Sequence, residues 1–263
     1  MGRHRVPRTL LSRLPRAPLK GLRIGHIAPS PELLHYLTRV LRLESGASFL
    51  AFDPDARTEG RVSLVTLATG EIGLVVEHVQ SAAVVATQDL VLLQGLAKGD
   101  KTDAIVRDAT ELGATRVVLV ETARSVVRLE GKRKDERRAR LAKIAEEAAR
   151  QCGRSDPPEV LGPMPLSEAA KHAPAGSRFV LAPGAERSLG RELFGQAQEA
   201  PEASRGPISF AVGPEGGFAP EELVALESFG FTRVSIGKFV LRTETVAACV
   251  LGTIRVLADA HES

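Results

Sequence analysis

Tryptophan is absent from this 263-residue chain, tyrosine occurs once, and cysteine occurs twice. The two cysteines, Cys152 and Cys249, are far apart and share no C-x-x-C or histidine-bearing ligand spacing. Neither a disulfide scaffold nor a zinc site is therefore expected, and a reducing compartment suits the chain. Histidine is sparse at six, with no H-E-x-x-H and no G-x-S-x-G, so metallohydrolase and serine-hydrolase readings have no support. The phosphate-binding words G-x-x-x-x-G-K-[ST] and G-x-G-x-x-G at a helix start are also missing. No apolar run approaches the roughly eighteen residues needed to span a bilayer, which gives the expectation of a soluble protein with no membrane partner.

Acidic residues are missing from one region altogether. Before Glu32 there is none, while Arg3, Arg5, Arg8, Arg13, Arg16, Lys20 and Arg23 are all basic. Residues 1–80 carry eleven Lys/Arg against seven Asp/Glu, and the rest of the chain is balanced at twenty-four against twenty-five. A basic, acid-free segment is the pattern of a surface that meets phosphates. The scarcity of aromatics in the same region argues against base stacking there and leaves charge and shape as the means of recognition.

What the chain does have is a glycine-broken α/β pattern near its carboxyl end. Residues 208–212 form an apolar run too short for a helix, and Gly213-Pro214-Glu215-Gly216-Gly217 then breaks the chain. Pro220 fits a first helical position, Glu221 and Glu222 fall where the helix dipole favours acids, and Gly230 supplies a left-handed stop. A second strand over 233–236 leads through Gly237 to Leu241-Arg242-Thr243-Glu244-Thr245, where Thr243 or Thr245 can cap the last helix. Two strand ends thus deliver two loops to one edge, the place where ligands sit in open α/β sheets. Glycine without a Cβ lets main-chain groups reach a ligand, which suits a polar cofactor read by backbone, although glycines after a strand are more often plain turns.

GPEGGF and LRTET, in this order near the carboxyl end, resemble the RsmE family of 16S ribosomal RNA uridine-N3 methyltransferases, within the SPOUT superfamily. Four further blocks stand in family order: His35 to Leu43, Ala109-Thr110-Glu111-Leu112-Gly113, Arg124-Ser125-Val126-Val127, and Glu147 to Arg154. The resemblance implies an α/β trefoil-knotted methyltransferase domain at 81–263, preceded by a small PUA-like RNA-binding β-barrel at 1–80. It implies S-adenosylmethionine as cofactor, 16S ribosomal RNA of the small subunit as partner, a homodimer, no metal, and a cytoplasmic setting. Periodicity alone would lead to an ordinary doubly wound sheet, because knots are all but absent from proteins.

On the same resemblance, the cofactor pocket is expected around Leu181, Pro183, Val212, Gly213, Pro214, Glu215, Gly216, Gly217, Ile236, Gly237, Val240, Leu241, Thr243 and Ala247. Arg242 and Glu244 are the candidate catalytic pair, the arginine stabilising charge on a uracil ring and the glutamate accepting a proton, or the two forming a structural ion pair. Candidate RNA contacts are Arg8, Arg39, Arg42, Arg124, Arg133, Arg137, Arg138 and Arg154. Two departures from the family pattern stand out: Lys238-Phe239 before LRTET, and Thr122-Ala123-Arg124, where a glutamate is lost. An RNA methyltransferase of another SPOUT type, acting for instance on a transfer-RNA ribose hydroxyl, and a non-catalytic RNA-binding assembly factor remain the alternatives.

Along the chain, residues 31–43 read as a helix capped by Ser30, its apolar stripe running through Leu33, Leu34, Leu37, Val40 and Leu41 with Arg39 and Arg42 off it. Residues 49–52, 61–65 and 73–76 read as strands. After a linker near 81–88, residues 90–93, 103–112 and 117–120 form a parallel strand, helix, strand unit, with Thr102 as cap. Between Arg124 and Lys143 nine basic residues face three acids, beside a helix whose buried stripe is Leu141, Ile144, Ala145 and Ala148. Residues 156–163 read as a proline-fixed extended connection, and 179–181 as a strand ending in the loop Ala182-Pro183-Gly184.

Overall fold

The computed structural model describes residues 14–199 and 206–259. The chain divides into two compact units, one running to Val85 and including Ala149–Asp156, the other made of Ala86–Ala148 and the chain from Pro157 onward. Arg8 and most of the basic amino-terminal segment lie outside the described residues.

In the first unit the strands are β1 (Arg16–Pro18), β2 (Gly25–Ile27), β3 (Ser48–Asp53), β4 (Thr58–Thr66), β5 (Ile72–Val76) and β6 (Gln80–Ser81). They pair in the order β1-β3-β4-β5-β2, with β6 added to β4. Among these described strands only the β1–β3 pair is parallel. Alternate residues of these strands, among them Phe49, Ala51, Val62, Leu64, Leu74 and Val76, bury one apolar face against Leu37.

Leu37 belongs to a helix that is not uniform. Helix α1 (Pro31–His35) starts as expected, Ser30 Oγ accepting from Leu33 N at 3.2 Å, but Tyr36–Val40 is wound as a π-turn. Leu41 N accordingly donates to Tyr36 O, five residues back, at 2.9 Å. The extra residue per turn rotates Val40 off the expected stripe, to 58% exposure. Arg42, just beyond, takes a left-handed φ of 55°.

The turn after β3 is organised by one carboxylate. Asp53 Oδ2 accepts from Gly21 N (2.7 Å) and Leu22 N (3.2 Å), and Oδ1 from Asp55 N (3.0 Å) and Ala56 N (3.1 Å). Burial alone would push this carboxyl up. The four amide donors outweigh it and hold the group below the usual carboxylate range.

The second unit is an α/β/α sandwich. Its strands are β7 (Leu90–Gly95), β8 (Arg116–Glu121), β9 (Glu159–Pro165), β10 (Ser177–Leu181), β11 (Ile208–Val212) and β12 (Thr232–Val234). All pair in parallel, in the order β12-β10-β11-β7-β8-β9. The chain thus builds one half outward from β7, then crosses to the other side and inserts β11 between β10 and β7. The central strands β7 and β11 are buried along their whole length, as a parallel sheet covered on both faces requires.

The helices are α2 (Lys101–Glu111), α3 (Lys132–Cys152), α4 (Leu166–Ala169), α5 (Leu189–Glu199), α6 (Pro220–Ser228) and α7 (Thr243–Asp259). One face of the sheet, with Leu92, Leu119 and Phe210, packs on Ile105 of α2, Leu141 of α3, Leu193 of α5 and Leu251 of α7. The other, with Val91, Leu93, Val118 and Ala211, packs on Ala169 of α4, Leu226 of α6 and Phe231.

Two expectations need correction. Residues 159–165 are not a mere connection but the edge strand β9, whose shifted register between Val118 and Val120 of its neighbour accommodates Gly162 and Pro163. Prolines are tolerated on an edge, where one side of the strand has no ladder to complete. Helix α2 starts earlier than Asp103, and Thr102 does not cap it. Its hydroxyl is buried and donates to Ala97 O at 3.3 Å.

Because the Asp53 carboxyl is held low in the folded state, its contribution is complete above the ordinary carboxylate range and disappears as pH falls through the folded value. Asp53→Asn would set an amide NH2 against two N–H donors. We expect it to lower unfolding free energy by roughly 2–3 kcal/mol at neutral pH in urea titration, and to flatten the acid limb of the stability curve. A variant as stable as wild type would show that the four bonds do not hold the turn.

Candidate active site

The carboxyl ends of β10, β11 and β12 deliver three loops to one edge of the parallel sheet. Ala182, Pro183 and Gly184 follow β10, the residues from Gly213 to Ala219 follow β11, and those from Ser235 to Arg242 join β12 to α7. Together with Lys101 from the start of α2 they enclose a cleft of about 380 Å³. That size suits a ligand of a few hundred daltons.

The glycines of the middle loop have separate jobs. A Cβ on Gly213 would sit 2.8 Å from the carbonyl carbon of Gly217 and 2.9 Å from Phe218 N, so no other residue allows the loop to fold back on itself. Gly217 turns the chain at a φ of 68°, its N–H donating to Pro214 O at 2.8 Å. At the end of β7, a Cβ on Gly95 would meet Pro214 Cδ at 2.5 Å, which is how closely the two strand exits approach.

The start of α7 is pinned beneath this loop. The buried Thr243 hydroxyl donates to Gly213 O at 2.7 Å and accepts from Gln94 Nε2 at 3.0 Å, while Gln94 also donates to Gly95 O at 2.9 Å. Thr243, one of the two candidate caps with Thr245, is therefore not a cap, and Thr245 lies inside the helix. Thr243 is the first residue of α7, and its hydroxyl is spent on the glycine loop instead of on the helix's own amides.

Charge around the cleft is mostly committed. Glu215 Oε1 accepts from Lys101 Nζ at 3.0 Å and from Lys98 N at 3.1 Å. Desolvation pushes this carboxyl up, but the bonds from its own amide, Lys101 and Lys98, with the Lys101 charge, outweigh that and hold it below the usual range. Arg242 lines the cleft, is exposed, and has no ion pair among the described residues.

Most of the expected cofactor residues line the cleft: Leu181, Pro183, Val212, Gly213, Pro214, Glu215, Gly217, Ile236, Gly237, Val240, Leu241 and Thr243. Gly216 and Ala247 do not. Gly216 faces away, where a Cβ would meet Arg124 Cβ at 3.1 Å, and Ala247 is buried in the sheet-facing stripe of α7. Glu244 is also off the lining. Its Oε2 is buried with no hydrogen-bond partner among the described residues, and no Arg242–Glu244 ion pair forms among them. Lys101 was invisible to motif reading, since a lone lysine at a helix start carries no signal of a glutamate more than a hundred residues away.

The expected RNA contacts divide. Arg39, Arg42 and Arg133 are exposed with no ion pair among the described residues, and Arg138 is exposed in a helical pair with Asp135 at 3.1 Å. Arg137 bonds to Asp103 at 3.3 Å and to Gly99 O, and Arg140 joins the same aspartate. Arg124 donates to Gly216 O at 3.0 Å, behind the glycine loop. Arg154 is a correction: it is 5% exposed and locked to Asp156 at 3.1 Å, where no phosphate can reach it. Among the described residues no cluster of His, Cys, Asp and Glu could hold a metal ion, and no helix is long and apolar enough to cross a membrane.

A family model described as an RNA methyltransferase domain matches residues 85–255, which hold the whole cleft. Ribosomal RNA small subunit methyltransferase E of Synechocystis is 30% identical over 86% of this chain and 71% of its own length. The chain belongs to this methyltransferase E family. The Mycobacterium bovis member is 33% identical over 64% of this chain, and the match spans 63% of that protein's length. A member from Neisseria gonorrhoeae, solved bound to S-adenosyl methionine, superposes with a TM-score of 0.79 at 26% identity, covering 93% of this chain and 98% of that one.

In this member of the methyltransferase E family the Lys101–Glu215 pair closes one wall of the cleft, and a depressed carboxyl adds stability that is lost as pH falls below the ordinary carboxylate range. Lys101→Ala is expected to move the Glu215 titration upward, read from its side-chain carboxyl carbon resonance. An unmoved titration would show that the pair is not populated in solution.

Proposed function

We propose that the cleft binds S-adenosylmethionine and that the chain methylates N3 of a uridine in 16S ribosomal RNA of the small subunit. The observation that carries the cofactor is the glycine loop. A fold-back that only Gly213 permits brings main-chain groups to the floor of a cleft walled by Leu181, Ile236, Leu241 and Val246, which suits an adenosine read by backbone and apolar contact. The glycine loop lacks the lysine and hydroxyl residue of a phosphate-binding turn, Lys101 is occupied by Glu215, and the cations without an ion pair among the described residues, Lys238 and Arg242, belong to the exposed loop before α7. These features fit a phosphate-free nucleoside joined to an amino acid through a sulfonium better than a nucleotide.

When bound, this cofactor supplies a methyl group on a sulfonium, an electrophile for a nucleophilic nitrogen. The chain's part is to hold the two reactants in line and to make the ring nitrogen available. Uracil N3 carries a proton at neutral pH, so negative charge develops on the ring and its carbonyl oxygens as that proton leaves. Arg242, exposed at the cleft with no ion pair among the described residues, is placed to donate to those oxygens and stabilise the charge. Glu215 is committed to Lys101 and Lys98, and Glu244 is off the lining, so neither is assigned as proton acceptor, and the N3 proton passes to solvent water at the open mouth of the cleft as the methyl leaves the sulfur. The choice of uridine N3 rests on the resemblance of the GPEGGF and LRTET words, and that of 16S RNA on the family.

A trefoil knot is supported by the path of the chain, which leaves the β12 edge and returns α7 to the middle of the sheet, where Thr243 meets Gln94 and Gly213. A PUA-like barrel is supported by the β1-β3-β4-β5-β2 run around one apolar core. A homodimer gains nothing from the apolar stripe of α7, since Val250, Leu251 and Ile254 are buried against the chain's own sheet. A chain acting on the small subunit would work in the cytoplasm, where ribosomes are assembled.

Arg242→Lys keeps the charge but loses the planar fork. We expect it to slow single-turnover methyl transfer to 16S RNA by roughly ten- to a hundredfold with cofactor affinity intact. A rate near wild type would remove Arg242 from the chemistry. Mass mapping of RNA from a deletion strain should show loss of one methyl from a 16S uridine base; loss from a transfer-RNA ribose would sink the substrate assignment.

A further inference from the structure

Phe239 is 85% exposed, more than any other large hydrophobic residue described, and it lines the cleft between Lys238 and Arg242. Gly237, at a φ of 59°, turns the loop out of β12, and residues 237–240 are exposed in succession. An aromatic ring held in water at the lip of a binding cleft forgoes burial that the other eight phenylalanines obtain to a greater degree. Its neighbours bear on what would cover it. Neither Lys238 nor Arg242 has an ion pair among the described residues, so the ring stands between two uncommitted cations beside the cleft.

Resting on the function proposed above, we infer that Phe239 is the platform on which an unpaired nucleobase of the RNA substrate stacks as it reaches the cleft, with Lys238 meeting a flanking phosphate. N3 of uracil lies on the pairing edge, so a base offered for methylation there must be unpaired and out of its helix. Its two faces then lose their stacking partners. A phenyl ring replaces one of them, and stacking of this kind is sequence-tolerant and strong enough to matter. Phe239 is accordingly a positioning residue, acting on where the base lies and not on the bond that forms.

The absence of tryptophan makes the test direct, since Phe239→Trp carries the chain's one indole. Titrating full-length Phe239→Trp with a 16S ribosomal RNA transcript, with S-adenosylmethionine saturating, should quench its fluorescence at the concentration where RNA binds. Phe239→Ala should lower kcat/KM for that RNA by about tenfold or more, chiefly through KM, with cofactor affinity unchanged by calorimetry, and Phe239→Tyr should recover most of the loss. Three results overturn the inference. One is an indole blind to RNA with Phe239→Ala as efficient as wild type. Another is a loss of cofactor affinity in Phe239→Ala matching its loss of activity, which makes the ring a wall of the cofactor site. The third is fluorescence that follows protein concentration and not RNA, with a changed sedimentation coefficient for Phe239→Ala, which makes the ring a contact with a second copy. A wild-type chain that transfers no methyl to 16S RNA counts against the proposed function, whereas normal transfer with an indifferent Phe239 counts against this inference alone.

Discussion

A single hydroxyl joins the three parts of the candidate site. Thr243 stands at the first turn of α7, donates to the carbonyl of Gly213 at the exit of β11, and accepts from Gln94 at the end of β7. All three groups are buried, so each bond avoids the cost of an unpaired polar atom away from water. Because Gln94 is in a central strand buried along its whole length, the helix start and the glycine loop are both referred to the middle of the sheet. The loop from Ser235 to Arg242 is then stretched between β12 and a fixed anchor, and the cleft between it and the glycine loop takes its shape from that anchor.

The parallel topology explains why such an anchor is needed. Strands β10, β11 and β12 all end on one edge, so their loops converge without help, but convergence alone leaves glycine-rich backbone free to move. Three devices restrain it. Thr243 holds Gly213, Glu215 is gripped by Lys101 and Lys98, and Glu222 accepts from Ala123 N at 2.7 Å and Ala219 N at 2.8 Å, tying the loop after β8 to the start of α6. The charges nearest the glycine loop are consumed in holding it. Among the described residues, cations without an ion pair are left at the lip, in Lys238 and Arg242, and on other surfaces such as Arg133.

Much of this was legible in the sequence, and the physical reasons differ by element. The run 208–212 emerged as β11 with those bounds, since a five-residue apolar stretch closed by three glycines has few other outcomes. Helix α6 began at Pro220 as its proline and first-turn acids specified. The converging loops followed from strand and turn signals, and twelve of the fourteen expected cofactor positions line the cleft. What was hidden depends on long-range partners. Sequence spacing cannot show that Gly216 faces Arg124, that Arg154 is sealed against Asp156, or that the Thr243 hydroxyl is spent on Gly213 and not on its own helix. Nor could helical periodicity anticipate the π-turn at Tyr36–Val40, which redirects Val40 by one inserted residue. Strand β9 was missed because prolines depress strand signals except on an edge, and edge position is a property of the assembled sheet.

The central claim is that a glycine loop pinned by the Thr243 hydroxyl forms the S-adenosylmethionine site. Calorimetric titration of that cofactor onto the full chain, Thr243→Ser and Thr243→Val tests it most directly, with circular dichroism confirming that each is folded. Serine keeps the hydroxyl, while valine keeps the shape and loses it. The account predicts one binding site in the wild type, affinity in the serine variant within a few-fold of it, and a loss of about tenfold or more in the folded valine variant. Wild-type affinity in Thr243→Val, or no cofactor binding by the wild type, would contradict it.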